Sequence, residues 1–486
     1  MTSTESEMKE TIVLYPSPGM GHLVSIVELG KLFLRHDFAV SVITVSSTYT
    51  TGASSATTSF ISRMSSAHPS LSFHRLPAVS LPHNPSPHHE AHSFNLLRFS
   101  NPHLLSLLSS LSKSSSIRAL VVDFFCTIAM DVAAELSIPC YIFFPSSGAS
   151  LATFLHLPVL HTKITASFKD LGDTPLHFPG LPLIPAADMP LPFLDREDDA
   201  YKGFLVNFDR LPNSDGIIVN TFESLESRPL QAIADGLVVP GRKVPPVYCV
   251  GPMITGQAES RHECLNWLDR KPPGSVVFLC FGSLGVFSAK QLQEIAVGLE
   301  RSGQSFLWVV RNPPAATTAA VVGGVESVKL TEAPTEPELE ALLPEGFLER
   351  TVENGLVVKS WAPQAEVLLH AAVGAFVTHC GWNSVLEAVV GGVPMAAWPL
   401  YAEQRLNRVM LVEMGLAVEM RGYKSGLVAA EEVEEKVRGL FEADWGRQLR
   451  KTMEGVRLAA EAALTDGGSS TVAINELLAK WKAGNH

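Results

Sequence analysis

The sequence predicts an α/β protein made of two consecutive halves, each a parallel sheet covered on both faces by helices. Short apolar, β-rich runs alternate with longer helical patterns, which is the signature of βαβ units. The series then restarts near residue 275. At 486 residues the chain is also too long for one ordinary core, and its 46% apolar content suits large buried sheets.

In the first half, TIVLYP (11–16) reads as a buried strand because it is short, β-rich and ends at Pro-x-Pro-Gly. A helix is expected from about His22 to Arg35. Further strands are AVSVITV (39–45), IRALVVDFF (117–125), CYIFF (140–144) and GIIVN (216–220). The second half opens with SVVFLCFGS (275–283), followed by a helix near 289–302. SFLWVV (305–310), LVVKSW (356–361), GAFVTH (374–379) and PMAAWP (394–399) continue it. Loops are expected at 79–92, rich in Pro and His, and at 312–341, rich in Pro, Ala, Thr and Glu. The expected organisation is a domain over 1–250, a linker over 251–262, a second domain over 263–465 and a C-terminal helix over 466–486 packing back on the first domain.

Composition narrows the function. The net charge of -12 and the lack of a basic run argue against nucleic-acid partners. No apolar stretch reaches the roughly 20 residues needed to span a bilayer. The polar, acidic start MTSTESEMKE resembles neither a signal nor a transit peptide. Cysteines 126, 140, 249, 264, 280 and 380 form no Cys-x-x-Cys pair and read as buried free thiols. A cytoplasmic, soluble, monomeric protein is the expectation.

Pro16-Ser-Pro-Gly-Met-Gly21-His22 lies between the first strand and first helix. The glycines permit a tight turn, and His22 then stands at a helix N-terminus. The helix dipole there disfavours imidazolium, so a neutral base is expected. Asp123, at a strand end in an apolar setting, is the natural group to orient His22 and stabilise its charged form. The turn is not a dinucleotide fingerprint, because Val24 occupies the place of the third glycine. That opposes a nicotinamide oxidoreductase. His89-Glu90-Ala91-His92 is likewise not a His-Glu-x-x-His zinc motif and reads as a solvated or acceptor-lining segment.

The 44 residues from Trp361 to Gln404 read WAPQAEVLLHAAVGAFVTHCGWNSVLEAVVGGVPMAAWPLYAEQ. This run resembles the plant secondary product glycosyltransferase box of family 1 UDP-sugar glycosyltransferases. The likeness extends to VLYPSPGMGHLVSIVELGKL, GIIVNTFESLE, FLCFGSLG, LPEGFLERT and VVKSWAPQ, and to the branch acting on chalcones, dihydrochalcones and flavonoids. It implies a GT-B fold, two Rossmann-like domains facing across a cleft, with UDP-glucose as donor co-substrate and no other cofactor. It also implies that His22 and Asp123 are the catalytic base and its partner.

Physical roles can be set beside the family ones. Trp361 offers a flat face for uracil, Ala362 lets the backbone reach the base edge, and Gln364 can bond ribose. His379, Trp382, Asn383 and Ser384 follow a strand and start a helix, where backbone N–H groups can converge on a diphosphate. Ser283 adds a contact from the first strand of that half, and no metal is expected. Glu387 has two readings: a capping box with Ser384, or the ribose ligand that the family implies and that is preferred here. Glu403 and Gln404 are expected to hold the hexose. The family's terminal Gln accompanies glucose, whereas Glu403 stands where many members have Asp. Ser146 and Trp382 are further sugar contacts by resemblance. Met20, Phe124, Phe125 and Tyr401 are candidates for the acceptor pocket, the aromatic three also suiting a core.

The resulting expectation is an inverting glucosyltransferase acting on a small phenolic acceptor, through oxygen or carbon. Another UDP-sugar, a terpenoid acceptor, or a catalytically silent nucleotide-sugar-binding protein are the alternatives.

Overall fold

The computed structural model describes residues 9–45, 51–254, 261–314, 321–322, 325–326 and 336–484. Most of the expected 312–341 loop and the middle of the 251–262 linker lie outside the described residues, as does most of the acidic N-terminal decapeptide.

The first half contains β1 (Glu10–Tyr15), β2 (Ala39–Thr44), β3 (Leu71–Arg75), β4 (Ser116–Asp123) and β5 (Cys140–Phe144). A short hairpin of β6 (Pro175–Leu176) and β7 (Ile184–Pro185) precedes β8 (Gly216–Val219) and β9 (Val247–Cys249). The second half contains β10 (Val276–Cys280) and β11 (Ser305–Val310), then a hairpin of β12 (Val321–Val322) and β13 (Val325–Glu326). It continues with β14 (Gly355–Lys359), β15 (Val373–Thr378), β16 (Met395–Ala397) and β17 (Ala417–Glu419).

The main sheets run β3-β2-β1-β4-β5-β8-β9 and β14-β11-β10-β15-β16-β17. Both are parallel and reverse strand order next to their first strand, which is the doubly wound pattern. Ligand crevices form at such switch points, outside the strands' carboxyl ends. Here they lie between β1 and β4 and between β10 and β15. This is the two-sheet GT-B arrangement that the resemblance implies.

Each sheet is covered on both faces by apolar clusters, two of which reach across the halves, one through Leu406 and Met410 and the other through Phe222 and Leu225. The helix Ser469–Ala483 packs against the first sheet, although the chain reaches it from the second half. Its Ile474, Leu477, Leu478 and Trp481 share a cluster with Ile12, Leu14 and Phe33. All six cysteines are unpaired, and Cys249 is only partly buried.

The structure sharpens several sequence expectations. IRALVVDFF ends as a strand at Asp123, and Phe124–Cys126 turn into a 3-10 helix. The Pro- and His-rich stretch is a loop only to His88; a helix runs over His89–Leu111. The strands β3, β9 and β17 carried too little apolar pattern to be anticipated. They are sheet edges or near-edges of 5, 3 and 3 residues.

Candidate active site

In the first sheet Tyr15 pairs with Val122, so the turn after β1 lies beside the residue after Val122. That residue is Asp123. The helix Met20–Leu34 begins just past the turn, with Gly19 at its N-cap in a positive-φ conformation, φ 127°. Gly19 therefore carries the turn. Gly21 does not: a β-carbon there would meet nothing within 4 Å. The fold thus delivers His22 to Asp123, and Nδ1 lies 2.8 Å from Oδ2.

Asp123 is fully buried, and its Oδ1 accepts from the Phe125 backbone N–H at 3.0 Å. His22 is 28% exposed, so its ring reaches the cleft while Nδ1 stays tied to the carboxylate. Phe125 meets the ring edge-on at 5.2 Å. The pKa of His22 is raised. Burial lowers it most, but the Asp123 charge and hydrogen bond outweigh burial, helped by Glu403 and Glu90. Asp123 thus stabilises the charged form of the ring, as expected of its partner, and the helix N-terminus does not by itself keep the pKa low.

The same topology builds the second crevice. Cys280 pairs with Thr378, so Ser283 and His379 leave adjacent strand ends. His379 is buried, and its ring is pinched by glycines: β-carbons added at Gly282 or Gly381 would lie 2.5 Å from Nε2. Burial, then the Arg311 charge, push its pKa down to about 4. Its buried Nδ1 has no hydrogen-bond partner among the described residues. A neutral imidazole with an uncommitted nitrogen suits a phosphate oxygen. Cys380 next to it adopts φ 66°, which turns the chain into the helix Trp382–Gly391.

That helix starts at Trp382 with Gly381 as its N-cap, so Ser384 lies inside it. The Ser384–Glu387 capping box is therefore not formed. Instead Gln364 Nε2 donates to Ser384 Oγ at 2.7 Å and to Glu387 Oε2 at 2.6 Å. Trp361, 56% exposed, leaves its ring open to solvent beside His262. Ala362 is buried in the core, and Ser283 is exposed, with its carbonyl accepting from Arg311.

Several contacts join the halves. Asn383 Nδ2 donates to Ser25 Oγ at 3.0 Å, and Ser146 Oγ donates to Glu403 Oε1 at 2.7 Å. The Trp382 side chain is buried, and its Nε1 donates to the Asn220 carbonyl at 2.7 Å. Its indole therefore joins the halves and is not presented to a sugar; only its backbone N–H remains at the helix start. Gln404 is also buried, its Oε1 accepting from the N–H groups of Leu400 and Tyr401 at 2.9 Å. Of the acceptor candidates, Phe125 borders His22 and Met20 opens the first helix, whereas Phe124 is mostly core. Tyr401 lies instead against His379, ring centroids 5.9 Å apart.

Sequence reasoning missed residues that carry no local signature. Asn407 is fully buried; its Nδ2 donates to the Cys380 carbonyl at 3.0 Å, and its Oδ1 accepts from Ser147 Oγ at 3.1 Å. Arg408 pairs with the buried Asp188 of the first half. Among the described residues no helix is long and apolar enough to cross a membrane.

Residues 242–441 match the family model for UDP-glucoronosyl and UDP-glucosyl transferase. The chain is 49% identical over 484 residues to UDP-glycosyltransferase 88F3 of Pyrus communis, covering 96% of this chain and 98% of the relative. It is 48% identical over 482 residues to phloretin 2'-O-glucosyltransferase of Malus domestica, with the same coverage. The structure is similar to Phytolacca americana UGT2 complexed with UDP-2fluoro-glucose and pterostilbene. There the TM-score is 0.86 and the identity 37%, covering 97% of this chain and 100% of that chain.

Proposed function

Because the chain belongs to the family of UDP-glucosyl and UDP-glucoronosyl transferases, we propose that it transfers glucose from UDP-glucose to a hydroxyl of a small phenolic acceptor. The observation that carries this is the 2.8 Å contact of His22 with Asp123, close enough to Glu403 of the donor box for that carboxylate to act on the His22 charge. Base and sugar site then belong to one cleft.

With Nδ1 held by Asp123, Nε2 of His22 takes the acceptor proton. The acceptor oxygen attacks the anomeric carbon opposite UDP, the bond to the UDP oxygen breaks, and the centre inverts. UDP leaves with the electron pair. Its charge is met by the N–H groups at the start of Trp382–Gly391 and by His379. Trp361 stacks uracil, Gln364 and Glu387 hold ribose, and Glu403, Ser146 and Gln404 face the hexose. Ser283, Ala362, Asn383 and Ser384 complete the donor contacts. The reading uses neither a metal nor another cofactor.

Phenolic oxygen is preferred as nucleophile because the similar Malus protein is a 2'-O-glucosyltransferase of phloretin. We read the enzyme as a cytoplasmic monomer, with residues 1–250 binding the acceptor, 263–465 binding the donor, and the C-terminal helix belonging structurally to the first domain.

Incubation with UDP-glucose and phloretin, followed by mass spectrometry, tests this. A gain of one hexosyl unit that disappears in His22→Ala is expected. Tight UDP binding without transfer to any of a broad phenolic panel would mark a silent binding protein instead.

A further inference from the structure

We propose that Asp188 is a positioning residue for the sugar end of the donor site: by holding Arg408 across the two halves, it sets the helix that begins at Glu403 and Gln404. This rests on the glucosyltransferase reading above and deepens it, because it assigns part of the discrimination among UDP-sugars to the first half of the chain.

The helix Gln404–Glu413 has Glu403 at its N-cap, so the pair read as facing the hexose opens it. β16 precedes it and β17 follows it, and both belong to the second sheet. Its packing nevertheless reaches far into the first half. Leu406 and Met410 lie in one apolar cluster with Val122, Phe144 and Leu151. Arg405 and Arg408, three residues apart, share another face of the helix. Arg405 Nη1 donates to the Ala187 carbonyl at 2.9 Å, and Arg408 Nη2 donates to Asp188 Oδ2. Both acceptors lie in the 3-10 turn Ala186–Asp188, directly after β7. That turn is fixed in the first half, since Ala186 and Met189 are fully buried in its core. The helix is therefore gripped from the first half on two faces.

The second observation is where the Asp188 charge is met. The residue is fully buried, and among the described residues its carboxylate is met only from the second half. Arg408 takes one oxygen, and Lys424 Nζ lies 2.9 Å from the other. The second arm of Arg408, Nη1, lies 3.1 Å from Glu419 Oε1 on β17. One guanidinium thus ties the first half's turn, the helix and the edge of the second sheet together.

Adhesion between the halves does not require this arrangement. A buried ion pair is seldom more stabilising than apolar residues of the same volume, and Leu406 and Met410 already supply apolar contact. What the pair adds is register. A planar guanidinium fits a carboxylate in few orientations, and a helix that slides or turns leaves a buried charge uncompensated.

A division of the donor site follows. Trp361, Gln364, His379 and Glu387 stand on elements of the second half. Glu403 is instead bonded by Ser146 of the first half, and the helix behind it by Asp188. The nucleotide is then gripped by one half, and the sugar by groups that the other half sets. Loosening Asp188 should disturb recognition of the sugar and leave that of the nucleotide in place.

The test combines UDP affinity by calorimetry with kinetics on UDP-glucose and UDP-galactose, phloretin being the acceptor. Asp188→Asn keeps the size and removes the charge. It should lower kcat/KM for UDP-glucose about tenfold, and the preference for UDP-glucose over UDP-galactose by a similar factor. UDP affinity and the phloretin KM should change by less than about twofold. Arg408→Lys keeps a cation beside the buried carboxylate but loses the planar fork, and should shift the same two quantities less, in the same direction. It decides the matter where Asp188→Asn yields no folded protein. Equal weakening of UDP and UDP-glucose, a loss confined to phloretin, or an unchanged sugar preference overturns the inference and leaves the transferase reading intact. A wild-type protein that transfers sugar from neither donor overturns that reading, and this inference with it.

Discussion

Ser146 Oγ donates to Glu403 Oε1 at 2.7 Å, linking the first half's β5–helix loop to the end of the donor box. Asn407 Nδ2 approaches the same oxygen at 3.4 Å. Glu403 also contributes to the raised pKa of His22. One carboxylate therefore senses both the base and the opposite half.

The pair should behave as a unit. Ser146→Ala removes a bond to a charged group and should lower kcat/KM for UDP-glucose about tenfold. Glu403→Asp shortens the side chain by one methylene, draws it from Ser146, and should cost a similar factor. The double variant should lose little more than either single one, since the contact is already broken. Steady-state kinetics decide this; strictly additive losses would show that the two residues act separately.

The pH dependence follows from the dyad. A general base works only when neutral. The carboxylates at Asp123, Glu403 and Glu90 hold His22 protonated to a higher pH than its ordinary 6.5. The acid limb of kcat/KM should therefore lie above that value, with activity rising as pH passes through the raised pKa. Glu403→Gln removes one of these charges and should move the limb to lower pH, whatever it does to the maximum rate. Asp123→Asn removes the largest favourable contribution and should move it further, with activity down about 10²–10⁴-fold. A limb that stays in place in both variants would mean that another group sets it.

How far the sequence could be read depended on how local each signal was. Long apolar strands and the helix-starting turns announced both sheets, because burial on two faces leaves a continuous pattern. His22 and Asp123 were legible as types of group in the right settings, although 101 positions separate them. Their meeting follows from β1 pairing with β4, which no local motif encodes. The donor box was legible because its groups lie close along the chain. The inter-domain partners were not. Asn220, Ser25 and Asn407 are ordinary polar residues whose roles exist only once the halves pack. Trp382 was misplaced for the same reason, since its indole finds the Asn220 carbonyl across 162 positions.

The imidazole of His379 gives a sharper test of the donor side. Gly282 has φ 74°, and a β-carbon there would lie 2.5 Å from Nε2. Gly282→Ala must therefore strain the backbone and displace the ring. UDP affinity measured by calorimetry should fall about tenfold or more, while the His22–Asp123 dyad keeps its geometry. With the His379 pKa near 4, its ring should also stay neutral throughout a pH 5.5–8 titration followed by NMR, whereas His22 titrates. An unchanged UDP affinity in Gly282→Ala would remove His379 from the donor site.

The C-terminal helix makes a stability prediction that separates the two halves. Trp481 is fully buried, with its ring edge-on to Phe33 and Tyr141 at 5.2 Å in each case. These partners belong to the first half, on the helix after β1 and on β5. Trp481→Ala should cost about 3–5 kcal/mol, and the loss should fall on that half. Trp481→Phe keeps an aromatic ring and should cost less. The whole chain has two cores, so chemical unfolding need not be a single transition. The expected result is that the transition reported by hydrogen exchange in β1 and β4 moves to lower denaturant while that of β10 and β15 moves less. If both shift together, the helix stabilises the interface between the halves and not the first sheet.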